Sequence, residues 1–186
     1  MNEDIKNFDK PGFIEIIKKF KTLIASIVGL IFLIVISLFI YQEYQKNLNK
    51  DISDSFNKAL ILIQKNEMQK ASKVLEEIIK SKDGFYSVSA LNLIVEKKLI
   101  KDKNKVLKNF DFVILKSNID KETKNLVIFK KILYLGDNID EKILLENLNP
   151  IIKSNSVWKN TVSNYIQSYY LSKKEFIKAK EFGSLK

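Results

Sequence analysis

The stretch Leu23 to Ile40, LIASIVGLIFLIVISLFI, constrains this chain more than any other part of it: it holds no charge, no proline and one glycine. Bulky apolar residues fall on every side of a helix drawn through it, and a helix that is apolar all round cannot face water. At 1.5 Å per residue it nearly crosses a hydrocarbon core of ~30 Å. Residues 23–41 therefore read as a transmembrane anchor. A buried core helix of a large soluble protein is the other reading, but a run this long with polar flanks on both sides exceeds the usual core helix. A cleaved signal peptide is a third. The run is longer than the usual apolar region of ~7–15 residues and its exit, Leu38-Phe39-Ile40-Tyr41-Gln42, lacks a small-x-small cleavage site. The anchor is expected to stay attached.

The flanks orient it. Lys18, Lys19 and Lys21 crowd the entry, whereas the exit mixes Glu43, Lys46, Lys50 and Asp51. The positive-inside rule then makes residues 1–22 a cytoplasmic tail and puts everything after Tyr41 on the other side. Phe13, Ile16, Ile17 and Phe20 share one helical face, so the end of the tail is expected to lie in the interface. Phe20 at one end and Tyr41 with Tyr44 at the other suit the aromatic belts of a bilayer. Ala25 and Gly29 form a small-xxx-small pair and are candidates for packing against another membrane helix.

Beyond the anchor about 140 residues remain, enough for one ordinary domain with a real core. The 186 residues include no Cys and no His. That removes structural zinc of the usual kinds, thiolate chemistry, imidazole acid–base work and the Ser-His-Asp triad. Net charge is +10, and all 32 basic residues are lysine. The absence of Arg counts against a reader of nucleic-acid sequence, because bidentate phosphate and base recognition rests on the guanidinium. The lysine excess has two readings, the mutational bias of an A+T-rich genome and an anionic partner such as lipid headgroups.

Neither Gly nor Pro occurs between Gly29 and Gly84, so the anchor helix is expected to continue through a helical stalk, residues 42–54, into the first helix of the domain at 55–186. From there the apolar pattern is helical and paired. Phe56, Ala59, Leu60, Leu62 and Ile63 give one face, a Lys65-Asn66-Glu67 corner follows, and Met68, Ala71, Val74, Leu75, Ile78 and Ile79 give the next. Asp83-Gly84 closes this hairpin, and a helix from Phe85 to Ile100 follows. Asp102 to Lys116, the segment around Leu126 to Leu133, and the segment capped by Asp140 continue the alternation. Asn149-Pro150 is expected to break or kink the chain, and Ser154-Asn155-Ser156 to open a long helix bearing Trp158, Val162, Tyr165, Ile166 and Tyr169. Helices of about 12–16 residues joined by short corners are the grammar of helical-hairpin repeats. The expected fold is all-α: a single N-terminal transmembrane helix followed by a tetratricopeptide-like helical-hairpin solenoid. Ala59 and Ala71 stand where paired helices must approach, with Leu62, Leu75 and Ile78 filling between them, and Tyr170 with Ala179 keeps that spacing in the last pair.

The layout resembles the ancillary SecYEG translocon subunit family, whose tetratricopeptide-like domain is shared with the periplasmic cell-division coordinator. The residues that carry the resemblance are the lysine-rich tail, the anchor ending in Tyr41-Gln42-Glu43-Tyr44, Ser55-Phe56-Asn57-Lys58-Ala59-Leu60, Lys70-Ala71-Ser72-Lys73-Val74-Leu75, the Gly84-Phe85-Tyr86-Ser87-Val88-Ser89-Ala90 junction, and the Leu148-Asn149-Pro150 and Ser156-Val157-Trp158 stretches. The resemblance implies a bacterial inner-membrane protein with its repeat domain in the periplasm, partnered by Sec translocon subunits and a membrane-anchored prolyl isomerase chaperone. It implies no enzymatic activity. No cofactor, nucleic acid or small-molecule substrate is expected for the chain. The chain departs from the pattern in lacking Arg, in its divergent repeats, and in stopping just after Phe182-Gly183, where a capping helix is expected, so the last repeat reads as incomplete.

The function expected is that of a non-enzymatic, membrane-anchored scaffold, an accessory of the translocon and its chaperones. Exposed members of the set Tyr86, Trp158, Tyr165, Tyr169 and Tyr170 are the partner-contact candidates, since interfaces favour aromatic residues; the competing role for each ring is core filler. Two other functions stand beside this one. A basic membrane-surface or envelope adaptor, for cell division or stress, would use the lysines without the translocon. A Ser/Lys enzyme built on Ser172-Lys173 or on Ser53 with Lys58 would need no His, but no Gly-rich oxyanion turn accompanies either pair.

Overall fold

The computed structural model describes residues 20–136 and 139–183, and these hold eight α-helices and no strand. They are α1 (Lys21–Gln64), α2 (Met68–Lys80), α3 (Gly84–Glu96), α4 (Lys103–Lys116), α5 (Lys121–Leu135), α6 (Glu141–Ile152), α7 (Lys159–Ser172) and α8 (Phe176–Gly183). As the lack of Gly and Pro predicts, α1 is helical without a break over 44 residues.

The chain divides into two compact units, Met1–Lys50 and Asp51–Lys186. In the first, the 19 residues Ala25–Glu43 have a mean hydropathy of 2.4 and none of them is buried, so this helix is long and apolar enough to cross a membrane. Phe20 and Tyr41 are exposed at its two ends. Phe13, Ile16 and Ile17 of the expected interfacial face and the side chain of Tyr44 lie outside the described residues.

The second unit starts at Asp51, within the expected stalk, and Ile52 is already part of its core. Each of its helices buries the stripe that a 3.6-residue period dictates. α2 buries Ala71, Leu75, Ile78 and Ile79, and α3 buries Ser87, Ala90, Leu91 and Ile94. The small residues Ala59, Ala71 and Ala90 have no exposed surface, and their missing side chains let neighbouring helices close in. Contacts run between helices one and two places apart along the chain. Each helix from α2 onward packs on its successor, and α2 also packs on α4. Phe56 of α1 meets Tyr86 of α3 with ring centroids 5.7 Å apart, and Phe129 of α5 meets Tyr165 of α7 at 5.5 Å. The core forms two clusters that meet at α5. Val127 belongs to the one built from α1–α4, Phe129 and Ile132 to the one completed by α6–α8.

The corners repeat. The residues that follow α1, α3, α5 and α7 include Asn66, Lys98, Gly136 and Lys174, all with positive φ, at intervals of 32, 38 and 38 residues. At three of these corners the next N–H donates to the carbonyl five residues back, Glu67 to Leu62 (2.8 Å), Leu99 to Ile94 (3.0 Å) and Glu175 to Tyr170 (2.9 Å), the hydrogen bonding of a Schellman end. At the opposite termini Asp83, Asp102, Asp120 and Asp140 cap α3 to α6, each carboxylate accepting two backbone N–H groups of the first turn.

Two expectations are corrected. Asn149-Pro150 does not break the chain: α6 passes through Pro150 to Ile152. The proline comes near the end, where it removes one backbone donor, while Ile151 and Ile152 beyond it are buried and hold the last turn in place. Nor do Ser154 to Ser156 open α7, which starts at Lys159. Ser156 is buried and hydrogen-bonded across to α5 instead.

Gly84 shows why the second corner needs a glycine. The corner ahead of α5 lies against it, with the Asn118 N–H donating to the Lys82 carbonyl at 2.9 Å, and a Cβ on Gly84 would fall 2.2 Å from the Asn118 carbonyl oxygen. Backbone cannot yield as a side-chain tip can. Gly84→Ala is therefore expected to destabilise the second unit by about 1–3 kcal/mol, the range for overpacking, measured by urea titration of the helical circular dichroism. Gly136→Ala, with open space around its Cβ position but positive φ, separates strain from crowding.

Candidate partner-binding surface

The aromatic candidates divide by what their rings already touch. Tyr169 and Tyr170 are buried, so neither belongs to the exposed set. The Tyr170 ring stacks on Phe182 at 5.6 Å and meets Tyr169 edge-on at 5.4 Å. Their hydroxyls serve internal bonds: Tyr169 donates to the Ile139 carbonyl at 2.9 Å, Tyr170 to the Glu141 carboxylate at 2.8 Å. Tyr86, Trp158 and Tyr165 are half-buried. Trp158 donates its indole N–H to the Glu122 carbonyl at 3.1 Å, which turns its polar edge inward. Ala25 and Gly29 lie one helical turn apart on α1. Ala25 is exposed, and a Cβ on Gly29 would meet no atom within 4 Å, so the flank available to another helix is open.

Between α3 and α5 runs a groove that the aromatic residues alone do not reveal. One part, about 410 Å³, has an apolar floor of Val95, Phe110, Leu133 and Tyr134 under a rim of Asn92, Glu96 and Lys130. The other, about 480 Å³, lies towards the helix N-termini beside Phe85, Val88, Ser89 and Thr123. Asn92 lines both. The Lys130 ammonium donates to the Asn92 side-chain oxygen at 2.9 Å, so a hydrogen bond spans the groove where the two parts meet. An apolar floor with a few polar groups at the rim accepts an apolar side chain of a partner segment while the rim fixes its backbone. Val95, Leu133 and Tyr134 follow the helical pattern of apolar residues, and only their placement across from each other marks them.

The proposed Ser/Lys pair has other engagements. Ser172 donates to the Tyr169 carbonyl at 2.7 Å, and the Lys173 ammonium donates to the Tyr169 hydroxyl. That hydrogen bond holds Lys173 above its ordinary lysine range, the wrong direction for a lysine that must give up its proton to act as a base. Compared with family models, curated proteins and solved structures, the chain matches none.

The last hairpin is held by charges that periodicity does not reveal. Lys178 of α8 reaches both Glu141 oxygens at 2.9 and 3.0 Å and Glu175 at 2.8 Å, so Glu141 at the start of α6 accepts from Lys178 and Tyr170 together. The bonds from Lys178 and then Tyr170 hold the Glu141 carboxyl below the usual range, and those to Glu175 and Glu141 raise Lys178. Burial, and then Glu141, raise the Tyr170 phenol. A depressed carboxyl gives stability that is present above its unfolded value near pH 4.3 and lost as pH falls through the folded value; a raised lysine gives stability that is present below about pH 10 and lost as pH rises. The expected result is a melting temperature that drops below about pH 4 and less steeply in Glu141→Gln than in the parent chain, measured by circular dichroism in detergent. Equal acid slopes would remove Glu141 from the account.

Proposed function

We propose that this protein is a non-enzymatic scaffold anchored in the bacterial inner membrane, which presents a helical-hairpin repeat domain to the periplasm as an accessory of the Sec translocon and its membrane-anchored prolyl isomerase chaperone. The observation that carries the anchored part is the unburied apolar stretch Ala25–Glu43 joined to a unit with its own core. Contacts between neighbours one and two places along the chain support the repeat reading, as do the short corners with left-handed residues that follow α1, α2, α3, α5 and α7. The lysines ahead of the anchor support the orientation, and the resemblance of the layout to the translocon accessory family supports the partners.

Anchoring is itself part of the mechanism. A domain confined to the plane of a membrane meets membrane partners at an effective concentration of the order of millimolar, so contacts as modest as the α3–α5 groove suffice. The groove is the natural seat for a partner segment, and the Ala25–Gly29 flank the natural seat for a partner's membrane helix.

Photo-crosslinking from positions 23 to 41 in native membranes, followed by mass spectrometry, is expected to capture Sec subunits or a periplasmic chaperone; capture of neither overturns the translocon assignment. A periplasm-dependent reporter fused after Lys186 is expected to be active. Activity of a cytoplasm-dependent reporter at that position would reverse the topology.

A further inference from the structure

The second unit has two ends, and the chain enters it at one of them. Asp51 lines a cleft of about 150 Å³ with Ser55 of α1 and with Glu77 and Ser81 at the end of α2, which places the point of entry beside the α2–α3 corner. That corner is bonded to the α4–α5 corner through the Asn118 N–H and the Lys82 carbonyl. The next junction is bonded in turn, because Ser156 donates to the Glu122 carboxylate at 2.6 Å and Val157 N–H to the same oxygen at 3.1 Å. The three corners therefore form one continuous row at the entry end.

What this row exposes is unusual for a set of corners. Phe85, Leu115 and Val157 are 71%, 70% and 74% exposed, one apolar side chain for each corner. Lys82, Lys116, Lys121 and Lys153 belong to the same corners, exposed and in no ion pair among the described residues. Of the carboxylates at this end, Asp83 and Asp120 cap helices and Glu122 takes the bonds from Ser156 and Val157, while Asp51 and Glu77 stand exposed in the cleft at the point of entry. Exposed apolar tips in corners that also carry exposed lysines are the chemistry of a surface that seats in an anionic headgroup layer, the tips entering the acyl boundary and the ammonium groups meeting phosphates.

Covalent connection brings such a layer within range. Seven residues lie between Glu43, the last of the apolar stretch, and Asp51, and even a fully extended chain from one to the other spans no more than about 29 Å. The other end of the unit also carries apolar and basic residues, including Phe176 and Ile177 beside Lys174 at the α7–α8 corner, but α-helices of 12 to 15 residues add about 18–22 Å between the two ends. We propose that the row of corners at Phe85, Leu115 and Val157 is a docking surface for the anionic bilayer in which the chain is anchored. The inference rests on the anchor reading.

The absence of Cys makes the test direct, because any introduced cysteine is a unique labelling site. Full-length chain carrying a spin label at Phe85→Cys, Val157→Cys, Lys65→Cys or Ile177→Cys is reconstituted into vesicles of phosphatidylcholine with and without phosphatidylglycerol. Labels at 85 and 157 are expected to be reached by oxygen from the lipid more readily than by a water-soluble nickel chelate in the anionic vesicles alone, with those at 65 and 177 remaining in water. In the anionic vesicles the ratio of lipid-facing to water-facing label should fall about fivefold for each of Lys82, Lys116, Lys121 and Lys153 changed to Gln, from roughly 1 kcal/mol per lysine near a charged surface, and should fall again at high salt. Water exposure at 85 and 157 equal to that at 65 and 177 overturns the proposal, as does shielding that arises only when membrane proteins are added, which would assign the row to a protein partner. A label at Leu33→Cys reads the anchor by itself. If it too stays in water the anchor reading has failed, and if it sits in lipid while 85 and 157 do not, only the docking surface has.

Discussion

A hairpin of two amphipathic helices cannot close its own core. Each helix presents an apolar stripe broader than one partner covers, and what the pair leaves open must be covered by the next pair. The second unit follows from this constraint. Ala90, Leu91 and Ile94 of α3 complete the cluster that Leu75, Ile78 and Ile79 of α2 begin, and Val106, Phe110 and Val113 of α4 extend it. The same requirement explains the alternation of corners, since a chain that goes back and forth must reverse its direction after each helix. Left-handed residues follow α1, α2, α3, α5 and α7, and Asp residues start α3 to α6.

Much of this was legible in the residues. The 3.6-residue period marks where the helices lie, the lack of Gly and Pro after Gly29 marks that α1 runs on unbroken past its apolar stretch, the Lys65-Asn66-Glu67 corner marks its end, and Asp140 is recognisable as a cap because a short side chain ahead of an apolar-periodic segment has few other uses. The errors have physical causes. Pro150 was read by its local rule, and the burial of Ile151 and Ile152 outweighed it. Ser156 was read as the opening of a helix because serine favours such positions, whereas its hydroxyl serves Glu122, 34 residues away in sequence.

The binding surface was less legible. Aromatic residues were singled out because interfaces are rich in them, but a tyrosine with a hydroxyl partner is equally at home inside a domain. Tyr169 and Tyr170 found such partners in Ile139 and Glu141. The α3–α5 groove depends on which residues of two helices come to face each other, with Asn92 and Lys130 separated by 38 positions. No local pattern encodes that pairing. The same holds for the row formed by Phe85, Leu115 and Val157, each unremarkable where it stands in the chain.

The meeting of the two core clusters at α5 bears on how the domain comes apart. Val127 faces one cluster while Phe129 and Ile132 serve the other, so this single helix is the seam through which the halves are coupled. Where helices pack mainly on their neighbours in the chain, as successive helices do here, the coupling between halves is only as strong as the helix they share. Amide hydrogens along α5 can exchange only when a core on one side or the other opens, and they form the clock against which the independence of the two halves is read. If α5 exchanges with both halves at one rate, the domain behaves as a single cooperative block. If the C-terminal hairpin opens first, α5 retains its contacts with α3 and α4, and the loss of order stops there before it reaches the end where α1 enters the unit.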